Sequence, residues 1–180
     1  MGRSDMDDFK EKGVFITGGA SGIGLGMARA FAAAGAKVAI ADIETARLEP
    51  AQASIADAGA SAGAKVITIE LDVSDRAAVQ AAAEQTAEAF GKVHVLCNNA
   101  GVGSRVALQE ATGDDWDWVL GVNLQGAING LLAFLPLLLA HGEGGHVLST
   151  SSVSGLRVYP NRQQACIAPR SMPWSACRKR

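Results

Sequence analysis

The sequence predicts an α/β fold: a doubly wound parallel sheet in three layers, incomplete at its C-terminal end. Three observations carry that expectation. Short runs rich in Val, Ile and Leu alternate with helical stretches from residue 13 to residue 152, and strands apolar throughout suit a parallel sheet covered on both faces. A glycine-rich turn joins the first such run to the first helical stretch. Unusual polar residues gather just past the apolar runs, where sheets of this kind bind ligands.

Each element follows from its local residues. "GVFIT" (13–17) is a buried strand, and "LGMARAFAAAG" (25–35) is a helix that Gly35 ends. "KVAIAD" (37–42) is the second strand, followed by an alanine-rich helix from Glu44 to Ala60. "AKVITIELDV" (64–73) is the third strand. Ser74 and Asp75 stand where an N-cap belongs, opening a helix that reaches Phe90 before Gly91. "VHVLCNNAG" (93–101) is the fourth strand with its exit loop. Asp114 and Asp115 open a long helix through Leu139, and "GHVLSTSS" (145–152) is the fifth strand. Right-handed crossovers between them give the doubly wound order.

Composition narrows the function. The chain has 180 residues, enough for one sizeable core, and 48% are apolar. Residues 161–180 hold five of its 16 basic side chains and none of its 18 acidic ones, so residues 1–160 carry 11 against 18. An acidic body argues against nucleic acid as a partner. Cys97, Cys166 and Cys177 form no disulfide framework and no metal-ligand spacing, so no metal is expected. The polar start "MGRSDMDDFKEKG" is not a signal peptide. The run "LLAFLPLLLA" (131–140) is too short for the roughly 20 residues that span a bilayer. A cytoplasmic protein with no membrane partner is expected.

The turn "TGGASGIG" (17–24) offers glycines for close backbone approach and a helix start for a pyrophosphate. Gly18, Ser21, Gly22, Ile23 and Gly24 are its candidate cofactor-binding residues; a tight structural loop is the alternative. Asp42 ends the second strand 18 residues past Gly24, where an acid accepts hydrogen bonds from an adenosine ribose. Its charge would repel a 2′-phosphate and favour NAD over NADP; an N-cap for the next helix is the alternative. Asp72, beside Val73 at the end of the third strand, could bond an adenine amino group or serve as a cap.

With "LDV" (71–73), "NNAG" (98–101), "DDWDWVLGVNLQG" (114–126) and "HVLSTSSVSGL" (146–156), the glycine turn and Asp42 make six motifs in order. Over residues 10–160 the chain resembles the classical short-chain dehydrogenase/reductases. The resemblance implies a Rossmann-like NAD(P)-binding domain over 1–160, an oxidoreductase activity, and hydride transfer between a nicotinamide cofactor and an alcohol or ketone. It implies that Asn99, Ala100 and Gly101 line the cofactor pocket. It also gives Asn123 a water in the proton relay and Ser152 the substrate oxygen. Relatives pair through the long helix, so a homo-oligomer with an incomplete interface is expected.

The family's acid/base is Tyr-x-x-x-Lys, with the tyrosine about 13 residues after the serine. Here Ala165 and Pro169 stand at those positions. The single tyrosine, Tyr159, is seven residues past Ser152, with Gln163 where a lysine would be needed. A chain without its proton-transfer pair is expected to turn over little. The segment 161–180 reads as an irregular basic tail. In a shifted frame "PRSMPWSACRKR" (169–180) can encode T-K-Y-A-V-V-G-L-S-E-A, which looks like the family's segment at the missing lysine. A frame shift between Asn161 and Pro169 is the expectation, and a divergent tail the alternative. A non-catalytic dinucleotide-binding or subunit-pairing module is the competing function.

Overall fold

Alternation along the strands decides which helices pack on which face. The computed structural model describes residues 9–104 and 106–152. The expectations about Tyr159, Gln163, Ala165, Pro169 and the segment 161–180 lie outside those residues. In β1 (Gly13–Thr17), Val14 and Ile16 face one way and Phe15 the other, and all three are fully buried. Val14 and Ile16 join Val38 and Ile40 of β2 (Lys37–Asp42) beneath α1 (Gly22–Ala33) and α2 (Thr45–Ala58). The close approach uses Ala28, Ala32 and Ala51, whose small side chains let helix and sheet meet. On the other face Phe15 stacks on Phe134, with ring centroids 4.2 Å apart. There α3 (Arg76–Phe90) and α5 (Gly126–Ala140) cover the sheet through Val79, Ala83, Ala133 and Leu138.

Five parallel strands run in the order β3-β2-β1-β4-β5, with β3 at Val66–Glu70, β4 at Val95–Asn98 and β5 at His146–Ser149. The doubly wound parallel sheet expected from the sequence is therefore present. The chain leaves β1 toward β2 and later returns to its other side at β4, so the strand order reverses between β1 and β4. A crevice opens above the carboxyl ends at that reversal.

Several boundaries differ from the sequence reading, each for a local reason. The turn after β1 enters α1 at Gly22, three residues before the expected start. Strand β3 stops at Glu70 rather than 73, because Asp72 folds the chain back. Its Oδ1 accepts the Ser74 N–H at 2.8 Å and the Ser74 hydroxyl at 2.7 Å, an Asx turn. Asp75, not Ser74, caps α3 by accepting the N–H groups of Ala77 and Ala78. Thr112, two residues before Asp114, caps α4 (Gly113–Leu120) in a reciprocal box with Asp115. The Thr112 N–H and hydroxyl hold the Asp115 carboxyl below its usual range.

The long helix expected over 114–139 runs from Gly113 to Ala140 but is interrupted by a π-helical turn at Gly121–Gln125. At 28 residues, with an 18-residue window of mean hydropathy 1.6, it is long and apolar enough to cross a bilayer, more than the run 131–140 suggests. In this fold it flanks the sheet, with Phe134 and Leu138 buried. Its opposite face leaves Leu131, Leu132, Leu135 and Leu139 exposed. Strand β5 departs from the expected burial: Val147 and Leu148 point to opposite faces and both are exposed.

Candidate functional site: a dinucleotide cleft at the strand ends

Above the carboxyl ends of all five strands lies a cleft of about 1170 Å³. Of the residues singled out from sequence, it brings together Gly18, Ser21, Gly22, Ile23, Asp42, Asp72, Val73, Asn99, Ala100, Gly101, Asn123 and Ser152. Gly24 is the exception. It is buried under the turn, where a Cβ would stand 2.0 Å from the Gly18 carbonyl oxygen and 2.7 Å from Asn99 Nδ2. Its absence of side chain serves helix-to-turn packing.

The turn itself is shaped to receive an anion. Gly18 adopts φ +63°, and a Cβ there would meet the Ala100 Cα at 2.9 Å, so only glycine fits at low cost. Ser21 occupies the N-cap of α1 yet makes no side-chain capping bond. Ser21, Gly22 and Ile23 thus bring the positive end of a 12-residue helix to the cleft.

The Asp42 carboxylate divides its two oxygens. Oδ2 accepts the Ala20 N–H at 3.2 Å and Oδ1 the Glu44 N–H at 3.1 Å. It thus braces the glycine turn and the start of α2 together, with Glu44 rather than Asp42 at the N-cap position. Each oxygen keeps a lone pair for a ligand hydroxyl. Asp72 faces the same cleft, and its Oδ1 is committed to Ser74.

A hydroxyl that the sequence reading passed over organises the centre. Thr17 Oγ1 accepts the N–H groups of Asn99 at 2.9 Å and Ala100 at 3.0 Å. Asn99 in return donates its Nδ2 to the carbonyls of Thr17 and Gly18, and its Oδ1 accepts the Thr150 hydroxyl at 2.8 Å. Asn99 lines the cleft, but its side chain ties together the exits of β1, β4 and β5. The Asn123 amide is likewise engaged: Oδ1 accepts Val102 N–H and Nδ2 donates to Val102 O, both at 2.8 Å. That two-point clamp fixes the loop after β4 and lies within the π turn, a kind of distortion frequent at functional sites. Ser152 stands half-buried at the cleft edge.

The profile of the short chain dehydrogenase family matches residues 12–165. This chain belongs to that family. A C alpha-dehydrogenase from Sphingobium sp. is 42% identical over 151 residues, covering 83% of this chain and 48% of that protein. A short chain dehydrogenase/reductase from Burkholderia phymatum, solved in complex with NAD, is 43% identical with a TM-score of 0.77, over 88% of this chain and 55% of that one. Levodione reductase is 35% identical with a TM-score of 0.82, over 91% and 62%. The chain spans about half the length of the curated relatives it matches. Their Rossmann-like fold is the fold described above, and the relatives are oxidoreductases.

A further supporting position, Asn129, also escaped the sequence reading. Buried Asn129 donates to the carbonyls of Val73 at 3.0 Å and Ser74 at 3.3 Å, and accepts from Arg76 and Gln125. It pins the loop beneath the β2–β3 side of the cleft. Its signal, an asparagine six residues after Asn123 inside an apolar helix, is weak without coordinates. Cys97 is fully buried and its thiol is pushed up to about 12 by burial, so it is chemically inert in the folded chain.

At the opposite, amino-terminal end of the sheet, His94, His141 and Glu143 bring potential ligand atoms within 4.8 Å of one another. The hydrogen bonds argue for a polar clamp rather than a metal centre. His94 Nδ1 accepts the Gly13 N–H at 3.1 Å, which places its proton on Nε2, facing Glu143 at 3.0 Å. Turning Nε2 toward a cation would aim an Nδ1 proton at that N–H. Glu143 also binds the ammonium groups of Lys12 and Lys92, which with His94 hold its carboxyl far below the usual range.

Proposed function

We propose that this chain binds NAD in preference to NADP in the cleft at the strand ends. We propose further that it is an alcohol/ketone oxidoreductase by family whose own turnover is low. The observation that carries the binding half is the uncapped start of α1, beside the glycine cradle and Asp42, all facing one cleft. The residues fit a dinucleotide. The N–H groups of Gly22 and Ile23 would take the pyrophosphate, Asp42 the adenosine ribose hydroxyls, and the Asn99–Gly101 loop the floor beneath the second half. A carboxylate at position 42 disfavours a 2′-phosphate by direct repulsion. The NAD complex of the Burkholderia relative supports a nicotinamide cofactor. Asp72 and Val73 would border the purine.

When bound, the cofactor supplies or accepts the hydride. Ser152 would hold the substrate oxygen by hydrogen bonding, and Asn123 would keep the loop after β4 in place and take part in the proton relay. Neither group can serve as the acid or base at neutral pH, because a serine hydroxyl and an amide hold their protons too tightly. Ala165 and Pro169 stand where the family's tyrosine and lysine are required. Loss of general acid–base help costs about 10²–10⁴-fold in rate. The partner is a small alcohol or ketone, with no role for nucleic acid or membrane. Association with a second copy would use the exposed leucines of α5. A cytoplasmic location fits the free thiol of Cys97.

Calorimetric titration of the full chain with NAD and NADP tests the cofactor half. NAD should bind at least about tenfold tighter, a difference of roughly 1.4 kcal/mol, and Asp42→Ala should erase the preference. Equal affinity for both, or no binding of either, overturns it. Reduction of NAD by any alcohol at a rate typical of the family overturns the low-turnover half.

A further inference from the structure

We propose that Trp118 is a further cofactor-contacting residue, an aromatic wall against which the purine of a bound adenine dinucleotide stacks. The inference rests on the cofactor reading above. Trp118 is 51% exposed although it lines the cleft, and Ile43, which follows Asp42, is 62% exposed and lines it too. Large apolar side chains left open to solvent inside a cleft gain when a flat apolar ligand covers them.

Their placement identifies which end of the ligand they would meet. The phosphate-binding turn lies at β1 and Asp42 at the end of β2, so the base lies beyond Asp42, toward β3. The loop after β3 contributes Asp72, Val73 and Ser74 there. Gly121 abuts that loop, since a Cβ on it would stand 3.6 Å from the Ser74 Cβ. Trp118 is three residues before Gly121, on the same helical face one turn nearer the solvent. It therefore rises beside the Asp72–Ser74 loop. Local charge selects the ligand: Asp42, Glu44, Asp72 and Asp117 line the cleft, and among the described residues no basic side chain does. A phosphate is unwelcome there and an uncharged ring is favoured. Trp116, two residues away and 39% exposed, does not line the cleft, so it serves as a control.

The test is calorimetric titration of full-length wild type, Trp118→Ala, Trp118→Phe and Trp116→Ala with NAD and with ADP-ribose. Base–aromatic stacking predicts that Trp118→Ala weakens both ligands about tenfold or more. Trp118→Phe should recover most of the loss, and Trp116→Ala should bind like wild type. Because Trp118 is half exposed, its alanine variant should melt close to wild type, and circular dichroism checks this. Affinity of Trp118→Ala within twofold of wild type overturns the inference and leaves the cofactor reading intact. A phenylalanine variant as weak as the alanine variant also overturns it, since an aromatic wall would persist. If wild type itself binds neither ligand, the cofactor reading fails and takes this inference with it.

Discussion

Two glycines on one helix should respond to alanine with opposite signs. Gly24 and Gly26 both lie in α1. At Gly24 an added Cβ would stand 2.0 Å from the Gly18 carbonyl oxygen and 2.7 Å from Asn99 Nδ2, while at Gly26 nothing lies within 4 Å. Relieving the contact at position 24 requires more than an ångström of separation between α1 and the turn. The nearest obstacle is backbone, which cannot rotate away. Overpacking of this kind costs about 3 kcal/mol, offset by about 1 kcal/mol from alanine's better helix propensity, for a net loss of about 2 kcal/mol. In a chain of this size that lowers Tm by about 4–8 °C. Gly26→Ala meets only the propensity term and should stabilise by about 0.5–1 kcal/mol. Thermal unfolding followed by circular dichroism separates the two. The reasoning is refuted if Gly24→Ala melts at or above wild type, or if Gly26→Ala loses as much.

Two other perturbations probe support around the cleft and the clamp beneath the sheet. Asn129→Ala would strip the side-chain donor from the Val73 and Ser74 carbonyls; urea unfolding should show a loss of about 2 kcal/mol, and a change below half a kcal/mol would contradict the assigned role. His94 has its pKa lowered from 6.5, chiefly by burial. The folded state therefore favours the neutral ring, so its contribution is present above pH 6.5 and is lost as the pH falls through the folded-state value. Unfolding free energy measured from pH 7.5 to 5 should decline in wild type and decline less in His94→Gln; parallel profiles would count against this linkage.

What the sequence made legible is what repeats at short range. Apolar runs and their glycine and aspartate boundaries fix all five strands, and six motifs place twelve residues around one cleft. Less legible are contacts whose partners lie far apart in the chain. Thr17 is an ordinary residue before a glycine until the fold brings it to Asn99, 82 positions later. The π turn at Gly121–Gln125 follows from Asn123 clamping Val102, a tertiary bond that helical periodicity does not encode. Likewise Gly24 reads as part of a binding motif, whereas its physical constraint is the carbonyl of Gly18. Trp118 carries no spacing signal at all; only its exposure within the cleft sets it apart.

If the proposed function holds, binding and proton transfer draw on separate stretches of this chain. Every described contact that shapes the cofactor end closes within residues 17–150: Asp42 to Ala20, Thr17 to Asn99 and Ala100, Asn99 to Thr150, Asn123 to Val102, Asn129 to Val73. Both partners of each of these bonds lie before residue 151, whereas the proposed function places the missing acid/base at positions 165 and 169. On that reading, a change of sequence confined to residues after 160 would remove the acid/base without altering any residue that makes these bonds. Affinity for NAD and turnover should thus part company: restoring tyrosine and lysine at the two positions would act on rate, whereas Asp42 and Trp118 would act on binding.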